Sequence, residues 1–223
     1  ISLLFEMFFS GMRQSIAIGI IVLAFYFAKN KKLIPFLLTI GLATSFHSSA
    51  IVAIILYPMY HAKITQKWLW FIIPGFVAVY MFRDILMTYI FLLAGDDYAS
   101  KYSYLSGESN QVSLMILFVL LAIYSYFMLD EKLLNANDVG LRNILLLAAG
   151  IHLFTPLNPT ISRINYYFIL FIPLILSRIP AKCHVQLRSF ANIANIIMVV
   201  FFIFYFFFLK SDSLHVFPYK FME

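Results

Sequence analysis

A single cysteine, Cys183, stands in 223 residues. It excludes an internal disulfide and any metal or cluster site built from several thiolates, and it leaves the redox compartment open. Charge is nearly as scarce. Asp, Glu, Lys and Arg make up 12% of the chain and hydrophobic residues 63%, whereas a soluble domain carries about 25% charged residues. Water is therefore excluded as the main solvent. Acidic residues are the rarest charges, ten against sixteen Lys and Arg. The basic excess falls partly in short breaks between apolar runs, where it reports orientation in a membrane before it reports a nucleic-acid surface, so nucleic acid is not an expected partner. Also missing is the alternation of polar and apolar residues that strands of a transmembrane barrel need, because residues 112–129 and 193–209 are apolar almost all round. Neither an internal repeat nor a soluble domain is visible.

What the chain does have is a succession of apolar runs. A hydrocarbon core about 30 Å thick takes about 20 apolar residues per helical crossing. Runs at 15–28, 33–46, 48–60, 68–84, 112–129, 144–157, 164–176 and 193–209 approach that length between polar breaks. The expected fold class is all-α: a polytopic transmembrane helix bundle, with residues 1–223 as a single transmembrane domain. The chain starts at Ile1, and residues 1–9 lack the basic flank and cleavage site of a signal peptide. It therefore reads as the C-terminal portion of a longer protein.

Orientation follows from the basic breaks. Lys29, Lys31 and Lys32, then Lys63 and Lys67, then Arg178, Lys182 and Arg188 are assigned to the cytoplasmic side. Between the first two clusters, residues 33–60 are interrupted by Thr44, Ser45, His47, Ser48 and Ser49. Each half is roughly 20 Å of helix, either two short crossings or a re-entrant hairpin, and His47 falls on the outer side both ways. Trp68 and Trp70 form an inner aromatic belt; Arg83 and Asp84 then reach the outer interface as a charge pair, and residues 85–94 lie along it. The polar stretch 95–111 is assigned outside. The linker 130–143 is assigned inside although it is not net basic, which makes it the weakest step. Pro156 and Pro159 mark an outer turn, and residues 210–223 end outside.

This topology puts Arg13, His47, Lys101 and Arg163 on one side. Arg13 lies roughly 20 Å of helix from the lysine cluster, within the hydrocarbon slab, where it either snorkels to headgroups or faces a polar cavity beside Gln14. Arg163 has the same two readings. His47, among hydroxyls, suits a base or a hydrogen-bonding anchor, or a structural histidine satisfied by Ser48 or a carbonyl. Lys101 and Tyr102 fit sugar by stacking and hydrogen bonding, or are simply exposed loop. Asp96 and Asp97 read as solvated carboxylates, so no metal and no cofactor is expected. One outward-facing polar cavity accounts for the arrangement.

At these residues the chain resembles the EpsG family of exopolysaccharide polymerases, related to Wzy-type enzymes. Arg13-Gln14-Ser15-Ile16-Ala17 is similar to its Arg-Gln helix start and Phe46-His47-Ser48-Ser49-Ala50 to its His-x-Ser-Ala turn. The Lys101-Tyr102 loop, Ser162-Arg163 followed by Tyr166-Tyr167-Phe168, and Pro218-Tyr219 are similar to later landmarks, so the likeness runs from about Gly11 to the end. It implies a glycosyltransferase of the bacterial cytoplasmic membrane that joins oligosaccharide repeat units linked to a polyprenyl carrier, undecaprenyl pyrophosphate, into exopolysaccharide or capsule outside the cytoplasm. His47, Arg13 and Arg163 are then the expected catalytic residues, with Gln14, Ser48, Lys101, Tyr102 and Tyr166 binding substrate. Partners would be the lipid-linked oligosaccharide, the bilayer and other polysaccharide-assembly proteins. A flippase for the lipid-linked sugar and a non-catalytic assembly subunit remain the rival readings.

Overall fold

The computed structural model describes residues 11–94, 112–157 and 160–204. Among them every regular element is helical, and the only strand-like feature is an isolated antiparallel bridge between Leu129 and Cys183.

Helix α1, Met12–Lys29, buries Gln14, Ala17, Ile18, Ile21, Ala24 and Ala28. Spacings of three and four residues put these on one stripe. Ala17, Ala24 and Ala28 give that stripe little bulk, so helix α2, Leu33–Phe46, packs closely against it through Phe36, Ile40 and Ala43. The opposite face of α1, with Ile16, Val22, Leu23 and Tyr26, is exposed and apolar, as a lipid-facing surface should be. Lys31 takes a left-handed backbone, φ 56°, which turns the chain back within three residues.

At His47 the backbone becomes extended and α2 ends; a 3-10 helix, Ser48–Ile55, then leads into α3, Leu56–His61. A 3-10 helix rises about 2.0 Å per residue against about 1.5 Å in an α-helix, so the return arm covers roughly 25 Å and α2 roughly 21 Å. The extra rise brings His61 back to the lysine end, where its Nε2 is 2.9 Å from the Ala28 carbonyl oxygen. The segment 33–61 thus runs out to His47 and back.

After a 3-10 turn, Gln66–Trp68, come α4, Leu69–Met81, and α5, Arg83–Ala94. Arg83 is 4.0 Å from Asp84 and lies over the Tyr80 ring. Helix α6, Val112–Met128, packs on α7, Ala136–His152, which is the most enclosed helix and also touches α3, α8 (Thr160–Ile169) and α9 (Ile172–Leu176). Short α10, Ile179–Lys182, a 3-10 turn, Val185–Leu187, and α11, Arg188–Phe204, follow.

Residues 136–143, read from sequence as linker, form the first two turns of α7. Asn135 and Asp138 cap that helix reciprocally. Several of its polar side chains find partners inside the protein: the Tyr60 hydroxyl donates to Asn137, and the Asn143 amide donates to the carbonyls of Met59 and Ala62. The acidic residues before it have neighbours within the fold: Asp130 lies 3.4 Å from His184 Nδ1, and Glu131 pairs with Arg142 at 3.4 Å. The Asp130 amide also donates to the Lys182 carbonyl, and Lys182 Nζ to the Leu133 carbonyl. Residues 130–135 therefore share one end of the bundle with the basic turns, although their own charge could not say so.

By length and composition, Met12–Lys29 and Val185–Phe204 can each cross a membrane. Two bent pairs can do so if each counts as one span: Ser48–His61 with Gln66–Met81, bent by 118°, and Ile161–Ile169 with Ile172–Lys182, bent by 42°.

Gly140 sits where α7 meets α3. A Cβ there would fall 2.5 Å from the Tyr60 ring and 2.7 Å from the Tyr60 carbonyl oxygen. The ring can turn, but the backbone oxygen cannot. Gly140→Ala is expected to cost about 1–3 kcal/mol by overpacking and to lower the thermal midpoint of the purified protein. Gly19→Ala, with nothing within 4 Å of the new methyl, is the matched control and should not lower it.

Candidate functional site

The end of the bundle opposite the lysine turns is built from the first turns of α1, the 3-10 helix and α8. The elements are tied together there by side chains. Gln14 Nε2 donates to the Arg163 carbonyl at 2.7 Å, joining α1 to α8. The hydroxyls of Ser49 and Tyr167 are 3.0 Å apart, joining the 3-10 helix to α8, and Gln14 is a further hydrogen-bonding neighbour of the Tyr167 hydroxyl. Gln14 and Tyr167 are buried, so this frame is internal.

On its outer side lie the groups with chemistry. Arg13 and Arg163 are exposed, each adjacent to or part of the Gln14–Arg163 link, and both guanidinium charges act on His47. His47 occupies the turn between the two apolar runs, outside both. Burial first, then the positive charges of Arg13 and Arg163, hold its imidazole below the usual 6.5. A histidine kept neutral between two cations can accept a proton or a hydrogen bond, while the cations remain available to an anion. Neither the start of α1 at Gly11 nor that of the 3-10 helix at His47 has a side-chain cap.

Of the residues singled out from sequence, Arg13, Gln14, His47, Ser48, Arg163 and Tyr166 come from these converging first turns. Lys101 and Tyr102 lie outside the described residues, as do Asp96, Asp97 and Pro218-Tyr219. Ser48 is exposed and Tyr166 half-buried. Gln14 is the brace between helices.

Sequence reasoning passed over the pair Ser49 and Tyr167, although Tyr167, four residues after Arg163, falls beneath it on the same helix face. It also missed Asn165, whose amide donates to the Ala148 carbonyl and contacts His152 Nδ1, fixing α8 on α7. A histidine and an asparagine inside apolar runs were the available signal.

A family model extends the geometry to nearly the whole chain: that of the EpsG family matches residues 1–221. The chain belongs to the EpsG family. No curated protein and no solved structure matches it. EpsG membership points to a membrane protein of the polysaccharide-polymerase kind, in keeping with helices apolar enough to span a bilayer. Of the residues that carry the resemblance, Arg13-Gln14, His47, Ser49, and Arg163 with Tyr167 are brought together among the described residues of this EpsG-family chain.

Proposed function

We propose that the chain is a glycosyltransferase that joins lipid-linked oligosaccharide repeat units, carried on undecaprenyl pyrophosphate, into exopolysaccharide or capsule. The reaction would take place at the extracytoplasmic side of a bacterial cytoplasmic membrane. The observation that carries this reading is the convergence of Arg13, His47 and Arg163 at the end of the bundle remote from the lysine turns.

In the proposed step the hydroxyl oxygen of the acceptor sugar attacks the anomeric carbon of the donor chain. The bond from that carbon to the pyrophosphate oxygen breaks, and the oxygen leaves with the electron pair. The hydroxyl proton passes to the neutral His47 imidazole. Charge grows on the departing pyrophosphate, and Arg13 and Arg163, with planar donor arrays that suit phosphate oxygens, stabilise it. Ser48 and Tyr166 would contact sugar, and Lys101 and Tyr102 would complete an outward-facing polar cavity.

A flippase for the same lipid is the second reading, favoured by the 118° bend between Ser48–His61 and Gln66–Met81, since broken helices also serve transport. Purified full-length protein in vesicles without an ion gradient, supplied with short lipid-linked units, separates the two. Extension of the glycan is expected. Transfer of unextended units across the bilayer would support the flippase, and neither outcome would leave a non-catalytic subunit of an assembly complex.

A further inference from the structure

At the lysine end the bend between α3 and α4 opens a cavity of about 630 Å³ against α6. Its apolar wall includes Leu69, Ile73 and Phe127, and its polar groups are Gln66, Lys67 and Glu131, with Trp70 beside them. We propose that this cavity binds a membrane aminophospholipid: the phosphate on Lys67, the ammonium on Glu131, and an acyl chain along Ile73 and Phe127.

The charges argue for a headgroup with both signs. Glu131 uses one oxygen, Oε1, to accept from the Gln66 amide and to meet Arg142, which is buried behind it. Lys67 supplies the cation that a phosphodiester needs. A second acceptor lies alongside. Pro74 stands within α4 and has no N–H, so the Trp70 carbonyl, four residues earlier, loses its helical donor. An ammonium can donate to that carbonyl and to Glu131 together, whereas a choline headgroup has no N–H and a glycerol headgroup no cation. Trp70 is 84% and Phe127 61% exposed, so the mouth opens towards the surroundings of the bundle, and tryptophans at that level mark an interfacial belt. This site is independent of the residues assigned to polymerisation.

The chain has only two tryptophans, Trp68 and Trp70, which supplies a direct test. With Trp68→Phe, Trp70 is the sole tryptophan, and excitation beyond the tyrosine band reports on it alone. The protein is placed in vesicles containing small fractions of acyl-brominated phosphatidylethanolamine, phosphatidylglycerol or phosphatidylcholine, and fluorescence quenching is measured. Phosphatidylethanolamine should be preferred roughly two- to fivefold, the range expected of one partly solvated charge pair. Glu131→Gln, which keeps an oxygen for the Gln66 amide and Arg142, should abolish most of that preference, whereas Lys67→Ala should weaken quenching by all three lipids, whose phosphate is common. Equal quenching by the three lipids, preference for phosphatidylglycerol, absence of quenching because protein covers the mouth, or a preference unmoved by Glu131→Gln would each overturn the proposal. Glycan extension by Lys67→Ala should stay normal, which separates this site from the proposed reaction.

Discussion

His47→Ala is expected to lower glycan extension by about 10²-fold or more, the usual contribution of a positioned acid–base group, while the protein stays abundant in the membrane. His47 is half-buried in a turn, and its side chain caps no helix, so its loss should leave the fold alone. Arg13→Ala and Arg163→Ala should each cost about 10²–10³-fold if they stabilise charge on the leaving pyrophosphate. Lysine at either position should recover part of the loss, since it restores charge without the planar array. Chain length of the surface glycan, read beside membrane abundance, reports all three. Long polymer from all three alanine variants would remove the site assignment.

The electrostatics add a signature that a merely structural histidine would not show. Positive neighbours disfavour the imidazolium, so His47 stays neutral to a lower pH than a free imidazole at 6.5. The acid limb of the extension rate should therefore lie below 6.5 in the native protein. Removing a cation raises the His47 pKa, so Arg13→Gln should move that limb to higher pH in its residual activity. Arg163→Gln should move it less, because Arg163 is the smaller of the two influences. A limb that ignores both substitutions would separate His47 from proton transfer.

Why the candidate residues stood out in the sequence, and part of the fold did not, comes down to the solvent. In an apolar solvent, polar residues are conspicuous: Arg13, His47 and Arg163 stand out, and they lie at the end of the bundle remote from the lysine turns. The same solvent hides which face of a helix is buried. On α1 the buried Ile18 and Ile21 and the exposed Val22 and Leu23 are equally apolar, and only the stripe Ala17, Ala24 and Ala28 separates the faces, by size. Polarity also misled at residues 136–143, whose Asp138, Arg142 and Asn143 looked like loop but are buried helix because their partners come from residues 59–64, 126, 131 and 182. Such partners are distant in sequence, and no local pattern announces them. The 3-10 rise after His47 was equally invisible, since Ser48–Ile55 has the composition of an ordinary apolar helix.

Glu131→Ala is expected to destabilise the protein more than Arg142→Met, although both break the same ion pair. The partners are unequal: the Arg142 side chain is 1% exposed and that of Glu131 35%. If Arg142 is removed, Glu131 can turn to water and keep the Gln66 amide, and a methionine fills the space against Tyr126. If Glu131 is removed, a buried guanidinium remains, with the Ile64 carbonyl at 2.7 Å and the Tyr126 ring at 4.1 Å as its support, and Nε and Nη1 already lack partners. Stranding a buried charge costs about 3–5 kcal/mol, and Glu131→Ala belongs in that range. Removing the arginine as well should then restore stability, because the double variant leaves no charge behind. Thermal unfolding of the purified protein in one detergent, over the native chain, both single variants and the double, gives the comparison. The expected order of midpoints puts Glu131→Ala lowest and the double variant above it. An Arg142→Met midpoint below that of Glu131→Ala, with no recovery in the double, would mean that Arg142 acts through its carbonyl and ring contacts instead of through the pair.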